Sequence, residues 1–104
     1  MLVTTPTARS SSRNTLRTGL VDTRSRLDVF VRACLRANVS SPELTRLQRL
    51  RDRLEEDLAV DMQSAKVVRA YQNALEESRR QVLSQVDATT HLTVLMYTAA
   101  HPTA

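Results

Sequence analysis

The chain has 104 residues, 41% of them apolar, with fourteen arginines, one lysine and a net charge of +4. One glycine, three prolines, one phenylalanine and no tryptophan argue against a turn-rich β sandwich and against an RNA-recognition sheet, which stacks bases on exposed strand aromatics. What remains is one small all-α domain, short of the size that covers its own apolar surface, so self-association is expected.

Charge is uneven along the chain. Residues 1–21 carry a net +3, residues 22–54 a net +4 and residues 55–104 a net −3. Such asymmetry suits a polyanion-binding surface, or antiparallel self-pairing of basic and acidic halves. Arginine presents a planar fork of donors that bridges phosphate oxygens, whereas codon bias in a GC-rich or overprinted gene exchanges lysine for arginine without function. Placement therefore has to separate the two.

Residues 1–21 contain Arg9, Arg13 and Arg17, no acidic residue and many serines and threonines, which superficially matches a mitochondrial transit peptide. Pro6 and the lack of an apolar face over Met1 to Ser12 favour a flexible basic arm, assigned to residues 1–13. A helical domain is expected over 14–86. Its first helix is placed from Asn14, a good N-cap, to about Ala37, ending around Asn38. Leu16, Leu20, Leu27, Val31 and Cys34 form its apolar stripe, and Arg13, Arg17, Arg24 and Arg32 a second stripe beside it.

Ser40-Ser41-Pro42-Glu43 is the sharpest boundary: a serine cap, proline at the first helical position and an acid in the first turn. The second helix aligns Leu47, Leu50, Leu54, Leu58 and Met62 in a seam that continues to Ala65 and Val68. The short connection predicts an antiparallel hairpin. The seam is the expected homodimer interface, giving a four-helix bundle from two copies. Arg46, Arg49 and Arg53 fall within about 60° on its flank and form a candidate cationic strip for nucleic acid, with Lys66, Arg69 and Arg32 as further candidates. Pairing of Arg53 with Glu56 or Asp57 one turn away is the structural alternative.

An unbroken helix from Pro42 to Leu83 would run about 63 Å, long for so small a domain. A break between Asp61 and Ser64 is expected, with Ser64 capping a helix from Ala65. Residues 87–104 are threonine-rich and are assigned to a short helix or an ordered tail.

Catalysis has little support. His91 and His101 lie ten residues apart without clustered carboxylates, Cys34 is alone on an apolar face, and one glycine excludes a phosphate loop. No metal, cofactor or small-molecule substrate is expected. The lone cysteine suits a reducing compartment and no run approaches the ~20 apolar residues of a membrane span, so a cytoplasmic protein is expected.

The order of elements, followed by Lys66-Val67-Val68-Arg69-Ala70-Tyr71, resembles the small RNA-silencing suppressor of insect nodaviruses over about Leu20 to Gln72. That family's gene is overprinted on another reading frame, which matches the arginine, serine, threonine and leucine mixture here. The resemblance implies a viral protein acting on its host. It implies a homodimeric four-helix bundle that lies along double-stranded RNA without reading sequence, shielding it from processing and loading. The family's basic residues would correspond to Arg46, Arg49 and Arg53, and its lysine before paired valines to Lys66. A wide, shallow A-form minor groove suits a rigid cation-bearing helical face. The alternative is a helical dimerisation or adaptor protein with no nucleic-acid role.

Overall fold

The computed structural model describes residues 4–60 and 64–101, with side chains from Thr15 onward. Among them the chain is all-α: α1 (Thr4–Arg36), α2 (Pro42–Ala59), α3 (Ala65–Ser84) and α4 (Ala88–Ala100). Met62, the last residue of the expected seam, lies outside the described residues.

Each boundary has a local cause. The helix before the first turn ends on Asn38, whose left-handed φ of 58° lets Val39 N–H donate to Cys34 O at 2.9 Å and Asn38 N–H to Leu35 O at 3.2 Å. Those two bonds satisfy carbonyls that the helix end leaves unpaired. The Ser41 hydroxyl then accepts from Glu43 N–H, with Pro42 opening α2, as the sequence pattern requires. The break falls where it is expected: Val60 is extended, and the Ser64 hydroxyl accepts from Val67 N–H to start α3. Asp87 caps α4 through a 2.7 Å bond from Thr90 N–H, a bond that also holds its carboxyl below the ordinary range.

One boundary differs from expectation. The first helix starts at Thr4, not at Asn14, so backbone assigned to a flexible arm is helical. Pro6 falls within the first turn, where amide hydrogens have no intrahelical acceptor and proline's fixed φ suits the helix.

α1 is the spine of a molecule measuring 58 × 24 × 18 Å, with α2, α3 and α4 all packed against it and α2 also against α3. The hairpin of α1 and α2 is antiparallel: Asp28 meets Arg51 and Arg24 meets Glu55, each pair equidistant in sequence from the Val39–Ser40 bond. α3 returns antiparallel to α2, with Tyr71 against Asp57 near one end and Ser41 against Gln85 at the other. Two apolar clusters stack along α1. One joins Leu27, Phe30 and Cys34 to Leu47, Val82 and Val94; the other joins Leu20 to Leu54, Leu58, Val68 and Tyr71, and Leu50 touches both.

This packing corrects the expected dimer seam. Leu47 and Leu54 are fully buried and Leu58 nearly so within one chain, and Leu50 is half-buried. α3, the element that the sequence break releases, folds back and covers the face that a second copy was expected to cover. Burying Leu47, Leu54 and Leu58 stabilises the single chain by about 1.5–3 kcal/mol each.

Candidate nucleic-acid interface

Capped at its start and packed along one face, α2 is a rigid platform for its outer side chains. Arg46, Arg49 and Arg53 are exposed on it, and the helix carries them over about 10 Å. Arg46 Nη1 lies 3.3 Å from Glu43 Oε1 one turn back, a pair whose arginine is exposed and whose carboxylate is mostly covered. Arg49 and Arg53 form no ion pair among the described residues, so the alternative pairing of Arg53 with Glu56 is not made. Arg53 stands near enough to Tyr71 to oppose the upward shift of its phenol. Asp52 and Glu56 are exposed on the same helix and temper the positive potential of the strip.

The other three candidates stand elsewhere. Tyr71 faces α2, and Arg69, two residues and about 200° of helical rotation away, points from the opposite side of α3. Lys66, about 140° from Tyr71, also faces outward from α3; both side chains are exposed and without ion pairs among the described residues. Arg32 is exposed on α1, about 40° from Asp28, which faces α2 at the hairpin's other edge. The structure thus brings Arg46, Arg49 and Arg53 together and leaves Lys66, Arg69 and Arg32 on separate faces.

Four arginines of the basic half bind the fold itself. The Arg17 guanidinium donates to Leu58 O at 3.1 Å, answering an unpaired carbonyl and the negative dipole end of α2. Arg24 bonds Glu55 at 2.5 Å, Arg51 lies 3.1 Å from Asp28 Oδ1, and Arg26 lies 3.1 Å from Asp22. The signal for the two cross-helix pairs was the hairpin itself, since residues equidistant from the turn meet across it. Two more cations cover aromatic faces: Arg36 sits 5.5 Å from the centroid of Tyr97 and Arg79 6.0 Å from that of Phe30.

Cys34 is fully buried, and burial pushes its thiol up to about 11, which suits a core residue. Among the described residues no cluster of three or more His, Cys, Asp or Glu side chains is placed to hold a metal, and no helix is long and apolar enough to cross a membrane. A feature that the sequence did not signal is an open groove of about 680 Å³ between α3 and α4, floored by Val29 and Phe30 of α1 and walled by Leu75 and Leu95. Compared with known protein families, curated proteins and solved structures, the chain matches none of them.

Proposed function

We propose that the protein binds double-stranded RNA without regard to sequence along the outer flank of α2, and that by shielding duplexes in the host cytoplasm it suppresses RNA silencing. The observation that carries this reading is the pair Arg49 and Arg53, exposed and without ion-pair partners among the described residues, beside Arg46 on a rigid capped helix. A straight helical face with no exposed aromatic platform suits recognition of duplex shape and phosphate position over base reading. In this reading copies act in pairs, which doubles the strip on one duplex, and the contact between copies lies away from the leucine seam.

The test is a gel-shift titration with an RNA duplex of about 20 to 30 base pairs, single-stranded RNA and a DNA duplex. Binding to duplex RNA that weakens steeply with salt and ignores sequence is the expected result. Arg49→Ala and Arg53→Ala should each weaken it and lower the salt slope by about one, with helicity unchanged. No shift at low salt with micromolar protein sinks the reading. The second reading, a helical dimerisation or adaptor module, draws on the uncharged exposed face of α4 and predicts that negative result.

A further inference from the structure

α4 differs from the other helices in chemistry and in cover. It carries no Asp, Glu, Lys or Arg anywhere between Ala88 and Ala100, and it packs chiefly against α1. Val94 alone of its residues is fully enclosed, and Tyr97 is half-buried toward α1. On the opposite side Leu92 is 59% exposed and Met96 69%, one turn apart, with Ala88 and Ala99 exposed beside them. Leu95 carries this apolar surface round into the groove that Phe30 and Leu75 line. Face and groove are contiguous.

We propose that this surface receives a second copy of the chain, α4 lying antiparallel to its counterpart across a two-fold axis beside Leu92 and Met96. A two-fold contact sets each residue near the axis against the same short segment of its copy, so a charge placed there meets a like charge. On a chain of net charge +4, the outer faces of α1, α2 and α3 all carry arginines, and α4 is the described helix that avoids this repulsion. The edges of the surface carry both signs, Asp22 with Arg26 on α1 and Glu76 with Arg79 on α3, so each copy offers partners for the charges of the other. Size sets the strength of the contact. A 13-residue helix is about 20 Å long, so its outer face falls short of the ~800 Å² per partner of a stable interface and the association is weak and reversible.

This inference deepens the paired-copy element of the proposed function and rests on that element alone. Its test therefore contains no RNA. Sedimentation equilibrium of the full chain, from low micromolar to several hundred micromolar, should give a mass rising from 11.7 kDa to twice that value. Met96→Glu and Leu92→Glu should each weaken association roughly thirtyfold or more, the loss expected of a central interface side chain, with unchanged circular dichroism. Leu35→Glu should leave it unchanged, because Leu35, 57% exposed, shares the side of α1 with Asp28 and faces away from α4. Met96→Cys should join two chains through a short thiol-specific cross-linker, since Cys34 is buried and does not compete. A monomer at every concentration, or a dimer indifferent to both glutamate variants, overturns the proposal, as does absence of the cross-link. So does wild-type protein that stays monomeric and floats with phosphatidylserine vesicles, which would make a membrane surface the occupant of α4. None of these results touches the duplex-binding titration.

Discussion

The Tyr71 hydroxyl donates a hydrogen bond to the Asp57 carboxylate, tying the second turn of α3 to the last turn of α2 across the break at 60–64. Burial, then this bond, pushes the phenol up to about 12 from its ordinary 10. A raised phenol favours the protonated form in the folded chain. Its contribution is therefore complete below pH 10 and is lost as pH rises toward 12. Tyr71→Phe should lower stability by about 1 kcal/mol at neutral pH in urea denaturation. The same variant should flatten the alkaline loss of stability between pH 10 and 12 that the parent shows.

The fully buried Leu54 separates core from interface. Leu54→Ala should destabilise the chain by about 2–5 kcal/mol, and the change should not depend on protein concentration. Denaturation at two concentrations a hundredfold apart checks this. A destabilisation, variant against parent, that itself changed with concentration would return the leucine to an interface between copies.

Much of this arrangement is legible in the residues because helix caps are local chemistry. Ser41-Pro42-Glu43 and Ser64 each place a side-chain acceptor beside unpaired amides, and no distant contact is needed to recognise them. The start of α1 is less legible, since Pro6 reads as a breaker in the abstract and is permitted within a first turn. The seam of Leu47, Leu54 and Leu58 is visible as an apolar face, but what covers it is a tertiary question that α3 answers from within the chain. Arginines are the hardest to read. Arg49 and Arg51 differ by two positions, and only the register of α1 decides that Arg51 meets Asp28 while Arg49 faces solvent.

Gly19 marks the close approach of α1 and α3. A Cβ built there would stand 3.0 Å from Val68 Cγ1, so the glycine costs helix propensity and permits contact between the helices. Gly19→Leu should lower stability by about 1–3 kcal/mol through overpacking, measured by thermal denaturation. Val68→Ala in the same chain should recover part of that loss, and an unchanged deficit would mean that Val68 is not the obstacle.

Burial makes the Cys34 thiol a slow nucleophile. With its pKa raised to about 11 from 9, the thiolate fraction at neutral pH falls about a hundredfold, before restricted access is counted. Aromatic disulfide reagents should label the native chain far more slowly than the chain in denaturant. The native rate should follow urea concentration as the core opens, and rapid labelling in buffer would place Cys34 at the surface.

Synthesis runs from α1 to α4, so the helix against which the other three pack emerges first and is covered in stages, with α4 arriving after α2 and α3. The Asp22-to-Arg36 portion of α1 lines the surface on which α4 finally rests, so an apolar strip including Val29 and Ala33 waits uncovered until the last residues of the core have been made. Nascent chains that stall before Ala88 therefore present a sticky basic helix to whatever chaperone or neighbouring polysome stands nearest. Folding of this core therefore waits on the thirteen residues of α4.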